Sequence, residues 1–305
     1  MTPEPGKNQL LKDHIVICNW NEKAPLLIDD LHSSENLQRR TIVIIADNVD
    51  RFPSVNGYDF FEDTVLIPGD PTETTSLKRA SVDDAHTVII LPKLTEDNPD
   101  DQTIQVALVI KQHLETTKKA MGSNWTGPRV VAKVIEPSNA THYRRSKAIG
   151  IHEVVCESEL GLRILSQTSI SPGVSGVLTE IITYDQSGSE LYSVVVPKNW
   201  VDSSENKFTK FQDIVLKALD HQKEVFARSK KEPGSDIDIQ MDGLKRNVLV
   251  VGYIRTIGER VIVMVNPSQS RLQDQLKNQL SYMEGDKLLV LSDNLELAQA
   301  CLESY

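Results

Sequence analysis

Short, uninterrupted apolar runs in the first half of the chain constrain its fold more than any other feature. His14-Ile15-Val16-Ile17-Cys18, Thr41-Ile42-Val43-Ile44-Ile45, Thr64-Val65-Leu66-Ile67, Thr87-Val88-Ile89-Ile90-Leu91 and Val130-Val131-Ala132-Lys133-Val134 are strand-length and mostly β-branched. A strand with one wet face alternates polar and apolar side chains. A run without alternation has both faces covered, as in a parallel sheet between helices. Helix-length stretches separate the runs, among them Glu22–Leu31, with Pro25 in its first turn, and Ala140–Ala148. Glu153-Val154-Val155 adds a sixth strand. The pattern predicts an α/β, doubly wound, parallel Rossmann-like sheet.

Past Cys156 the regularity is lost. Glu157–Thr168, Val174–Thr183, Phe211–Leu219 and Leu295–Leu302 read as helices; Leu191–Val196, Lys223–Ala227, Asn247–Val251, Val261–Val265 and Leu288–Leu291 read as strands. That is a smaller α+β subdomain. Two polar stretches, Thr116–Gly127 and Ser229–Gly243, read as excursions from the packed fold. The expected organisation is a leader over 1–12, a Rossmann-like lobe over 13–156, a crossover helix and hinge over 157–173, and an α+β C-terminal subdomain over 174–305.

Composition narrows the function. Lys and Arg number 33 against 43 Asp and Glu, a net charge of 33 − 43 = −10. That balance argues against chain-wide attraction to nucleic acid or anionic lipid. No apolar run approaches the ~18 residues of a membrane span. Three cysteines without CxxC spacing point to a reduced, cytoplasmic setting. The seven histidines form no HExxH, and no GxSxG, Walker A loop or Cys/His nucleophile pair is present. The chain is not expected to be an enzyme.

A doubly wound sheet binds ligands at the carboxyl ends of its strands. A dinucleotide binder places GxGxxG after the first strand, so that pyrophosphate can approach a helix N-terminus. Here that turn reads Asn19-Trp20-Asn21-Glu22-Lys23-Ala24. Asparagine tolerates the left-handed conformation the turn needs, but its side chain fills phosphate space. Trp20 can stack on a base or simply pack. Asp47, after the second strand, can accept from ribose hydroxyls or form a surface Asx turn. After the third strand, Gly69 permits a tight exit and Asp70 or Thr72 can cap the next helix. After the fourth, Glu96-Asp97-Asn98-Pro99-Asp100-Asp101 offers side-chain oxygens suited to a hard cation, with Glu136 close by after the fifth. Favourable charge at a helix N-terminus is the plainer reading of Asp100 and Asp101.

Together, the His14–Cys18 strand, the Gly69-Asp70-Pro71-Thr72 exit, the spaced Leu77, Ala80, Val82 and Ala85, the Val131-Ala132-Lys133-Val134 strand with Pro137-Ser138-Asn139, and Ala148–Val155 resemble the RCK family, the regulator of potassium conductance domains. The likeness covers about residues 13–170 and continues weakly through Gly285–Leu291; the opening looks closest to the Castor and Pollux channels and their bacterial relatives. It implies a cytoplasmic ligand-sensing gating module, tethered beneath a potassium or related cation channel and touching the membrane only through the attached pore domain. The resemblance further implies self-association, as dimers within a ring of eight, through Glu157–Gln167. Its ligand would be a small molecule or divalent cation. The residue sets this implies are Asn19, Trp20, Asn21, Asp47, Gly69 and Asp70 for a nucleotide such as NAD or ADP, and Asp97, Asp100, Asp101 and Glu136 for calcium. The alternatives are a soluble Trk- or Ktr-type nucleotide-binding subunit and an NAD-dependent oxidoreductase.

Overall fold

A computed structural model describes residues 11–33, 40–47, 63–122, 125–183, 190–202, 206–229, 248–257, 260–276, 280–292, 298–299 and 302 of the 305-residue chain. These fall into two compact units, Met1–Ser175 and Gly176–Tyr305.

The first unit is the doubly wound sheet. Its strands are β1 (Ile15–Cys18), β2 (Ile42–Ala46), β3 (Thr64–Pro68), β4 (Thr87–Ile90), β5 (Arg129–Val134) and β6 (Glu153–Cys156), with α1 (Ala24–Ser33), α2 (Thr74–Arg79), α3 (Pro99–Met121) and α4 (Pro137–Arg145) between them. The order is β3-β2-β1-β4-β5-β6, every neighbour parallel. Burial on both faces accounts for the unbroken apolar runs of β1 and β2; the outer strand β3 leaves Val65 exposed. Val16, Val43, Val88 and Val130 pack with Leu77 of α2 and with Val106 and Ile110 of α3, whereas Ile17, Ile42 and Ile44 pack with Ala24 and Ile28 of α1. Pro25 falls in the first turn of α1, where its missing N–H costs no intrahelical bond.

Helix α3 takes up much of the stretch expected as a polar excursion from Thr116, running on to Met121. Asp100 and Asp101 in its first turn and Lys118 and Lys119 in its last complement the helix dipole. Two glycines are steric necessities. A Cβ on Gly69 would stand 2.4 Å from the buried Ser76 hydroxyl, and one on Gly150, at φ 79°, 2.8 Å from the Lys111 side chain.

Two helices follow, α5 (Glu157–Ile170) and α6 (Val174–Ile182). The second unit then builds β7 (Glu190–Val195), α7 (Lys198–Val201), α8 (Phe211–Ser229), β8 (Leu249–Ile257), β9 (Arg260–Val265), α9 (Gln269–Leu276) and β10 (Lys287–Ser292). Its antiparallel sheet has the order β7-β10-β8-β9. The α+β expectation holds, with one element changed: Lys223–Ala227 is the tail of α8, not a strand. Phe211, Ile214, Ala218 and Gln222 are buried at helical spacing, and that periodicity carries the helix through the short apolar run. Helix α9 was not anticipated, since only Leu272 and Leu276 mark its buried side. Most of the expected helix Leu295–Leu302, residues 1–10 of the leader and 230–243 lie outside the described residues.

A buried ion pair organises the second core. Arg255 Nε donates to Asp286 Oδ1 at 2.8 Å and its Nη2 to Oδ2 at 2.6 Å, with both residues at most 2% exposed. The Tyr253 hydroxyl and the Met283 N–H also donate to Asp286. Burial, then the adjacent carboxylate, raises the Tyr253 pKa, so the phenol remains a donor. Removing one partner strands a buried charge. Arg255→Met should therefore cost about 3–5 kcal/mol, read as a lowered urea midpoint for the chain.

Candidate functional site

The strand order reverses between β1 and β4, so the loops leaving these two strands diverge and open the crevice where doubly wound folds bind ligands. Here side-chain amides fill it. Asn19 takes the turn conformation usually reserved for glycine, at φ 70°. Its Nδ2 donates to Leu91 O at 2.8 Å and to Gln102 Oε1 at 2.9 Å. Asn21 Nδ2 donates to Pro92 O at 3.2 Å, and its Oδ1 accepts the Lys23 N–H at 3.0 Å. Both asparagines are buried. The backbone turn survives without its glycines, but the space a pyrophosphate would occupy holds the protein's own amides.

The other residues expected at a nucleotide site are similarly engaged. Asp47 accepts from Lys93 Nζ at 2.7 Å, and Lys93 also meets Glu96 at 3.0 Å. The hydrogen bond to Asp47, reinforced by that to Glu96, raises the Lys93 pKa and keeps it charged. Asp70 Oδ1 accepts from both the N–H and the hydroxyl of Thr72, each at 2.7 Å, an Asx-type turn. Trp20 is half-buried against the cluster that includes Ile17, Ala24 and Ile28.

The acidic loop was expected to offer a cation site. Asp100 is 5% exposed, and its carboxylate accepts the N–H groups of Ile135 at 2.8 Å and Glu136 at 3.0 Å and the Asn139 amide at 2.8 Å. It clamps the β5–α4 turn. Asp97 and Asp101 are exposed, and Glu136 meets Asp100 through its backbone N–H. No group of three or more His, Cys, Asp or Glu side chains among the described residues could hold a metal ion. This donor set does not fit calcium.

Sequence reading missed a charged cluster at the same sheet edge. Lys23, from the β1 turn, meets Glu157 at 2.7 Å, and Lys133 of β5 contacts the same carboxylate. The Lys133 hydrogen bond, then that of Lys23, pulls the Glu157 pKa down to about 2. Glu157 opens α5, so the turn after β1, the end of β5 and the start of α5 share one ion-pair cluster. Only proximity in the fold reveals it, because the three residues are remote in sequence. The histidines beside the strands are structural: the His14 ring bonds Ala80 O, His86 meets Asp13, and His152 Nδ1 accepts the Val130 N–H.

Residues 10–141 match the family model described as the calcium-activated potassium channel slowpoke-like RCK domain. Over 184 residues, 60% of this chain, the sequence is 24% identical to the calcium-gated potassium channel TvoK of Thermoplasma volcanium and covers 47% of that protein. YugO of Bacillus subtilis is 26% identical over 99 residues, 32% of this chain and 28% of that one. The chain thus spans no more than about half the length of these relatives. Among solved structures, the human SLO3 gating ring matches 95% of this chain and 46% of that one, with a TM-score of 0.58 at 14% identity, which shows a shared fold. The RCK resemblance read from the sequence therefore holds.

The clamp and the exposed carboxylates can be separated by mutation. Asp100→Ala removes the buried acceptor of the part-buried Ile135 and Glu136 N–H groups and should destabilise the chain by about 1–3 kcal/mol. Asp97→Asn with Asp101→Asn should stay within about 0.5 kcal/mol. It should also leave unchanged any effect of millimolar calcium on thermal melting. A calcium-dependent rise that this pair abolishes would restore the cation site.

Proposed function

We propose that this chain is a ligand-sensing gating module for a potassium or related cation channel, a regulator and not an enzyme, held beneath the membrane at the cytoplasmic face by an attached pore. No helix among the described residues is long and apolar enough to cross a membrane. The slowpoke-like RCK match over residues 10–141 supports this reading. So does the calcium-gated potassium channel among its relatives.

One observation carries the proposal furthest. Helix α5 contains no buried residue, yet Leu160, Leu162, Leu165 and Ile170 are 48–75% exposed. An isolated helix of 14 residues is marginal in water, so its stability must come from packing. Exposed aliphatic residues in this number on one helix mark an interaction surface. The occupant proposed is α5 of a second copy, as the dimeric unit of a larger ring. Glu157 begins α5 and is held by Lys23 from the loop after β1 and by Lys133 of β5, next to the loop that follows that strand. A ligand that shifted those loops would therefore move the helix that joins the copies.

The ligand class is a divalent cation or small molecule, with calcium first because the named relative is calcium-gated. The 96–101 loop lacks the convergent carboxylates to hold it, so that loop is not its assigned site. A nucleotide at the β1 turn would have to displace Asn19 from Leu91 and Gln102.

Leu160→Asp with Ile164→Asp should lower the mass of the assembly in sedimentation velocity while leaving the far-ultraviolet circular dichroism of the sheet units intact. An unchanged mass would exclude α5 as the joint.

A further inference from the structure

We propose that β9 is a docking edge for a second copy of this chain, pairing antiparallel with β9 of that copy about a two-fold axis at Val263. Among the described residues β9 pairs only with β8, so its other side is a sheet edge. The Asn266 N–H donates to Val251 O at 2.9 Å, next to the Gly252–Val265 register pair. Bonding direction alternates along an antiparallel strand. Arg260, Ile262 and Met264 therefore direct their backbone groups to β8, whereas those of Val261, Val263 and Val265 point to the open edge.

The side chains agree with a designed edge rather than a protected one. Val261, Val263 and Val265 are 51%, 49% and 56% exposed, while Ile262 and Met264 are buried. Proteins ordinarily blunt an open edge with lysine, proline, a bulge or a very short strand. The six-residue strand Arg-Val-Ile-Val-Met-Val has no lysine, proline or carboxylate, and its pairing with β8 runs without a register shift. A persistent β-branched edge of this kind is a template for another strand.

The partner's identity follows from self-complementarity. With Val263 opposite Val263 of the second copy, Val261 falls opposite Val265 and Val265 opposite Val261. Each becomes a hydrogen-bonded pair, so the open N–H and C=O groups of all three valines are satisfied together. Their side chains form β-branched cross-strand pairs, a favourable combination. The two four-stranded sheets become one of eight strands, an isologous contact closed by its own symmetry. This joint uses none of the residues of the α5 contact and does not depend on it.

The test uses the full chain with Leu160→Asp and Ile164→Asp, so that β9 is the remaining joint, and with Cys301→Ser. Sedimentation should show a concentration-dependent dimer at about 100 µM. Val263→Pro, whose missing N–H points to the open edge and leaves the β8 ladder intact, should weaken that dimer at least tenfold with little change in melting. Val263→Cys should cross-link to its own copy on mild oxidation, because the ~5.5 Å Cα separation of a hydrogen-bonded pair lies within disulfide reach. Val261→Cys alone should not. If Val263→Pro fails to fold, the cysteine comparison decides. A parent chain that is monomeric throughout, or one that cross-links as readily at 261 as at 263, overturns the proposal. Should the helix variants leave the mass unchanged, the gating reading fails at its joint while the 263 cross-link still tests β9.

Discussion

The carbonyls of Leu91 and Pro92 must find donors where the chain leaves β4, and much of the first unit's character follows from how they do. At the switch point the loops after β1 and β4 part, and no neighbouring strand supplies the donors. Asn19 and Asn21 supply them. A buried carbonyl without a partner is costly, so the two amides are fixed in place by the same requirement that keeps water out. Glycines in this turn would leave the space open for a phosphate. With asparagine, the backbone path is retained and the crevice is closed by hydrogen bonding rather than by apolar filling.

The closure redirects attention from the crevice to what surrounds it. Lys93 spans Asp47 and Glu96, and Lys23 and Lys133 converge on Glu157. Each pairing ties one strand-end loop to another, and the last ties them to α5. The first unit therefore resembles a set of loops cross-braced by charge more than a pocket awaiting a cofactor. Exposed apolar residues recur along α5, on α6 and on the sheet of the second unit, and others are scattered over α1, α3 and α8.

The parallel sheet was legible in the sequence because β1 and β2 are buried on both faces, and a twice-covered strand can hardly be anything but a continuous apolar run. The Asn19 turn was legible for a similar reason: asparagine is among the few residues that replace glycine at positive φ. The misread strand has an equally local cause. Val225-Phe226-Ala227 reads as a strand by composition, but the buried spacing from Phe211 to Gln222 makes it the tail of a helix. Asp100 carries oxygens that a cation could use, and only the folded chain shows them taken by Ile135, Glu136 and Asn139.

By itself, then, the sequence determined the alternation of strand and helix, the parallel class of the first sheet, the α+β class of the second unit and the turn after β1. Each rests on periodicity or on the backbone preference of one residue, and both are local properties. Tertiary structure alone decided the partners: Gln102 against Asn19, Lys93 across to Asp47, Lys133 and Lys23 on Glu157, Arg255 within reach of Asp286. It also decided which apolar residues remained uncovered. Pairings between residues far apart in the chain leave no period behind them, because they depend on where the strands bring their ends together and not on the order of neighbouring side chains.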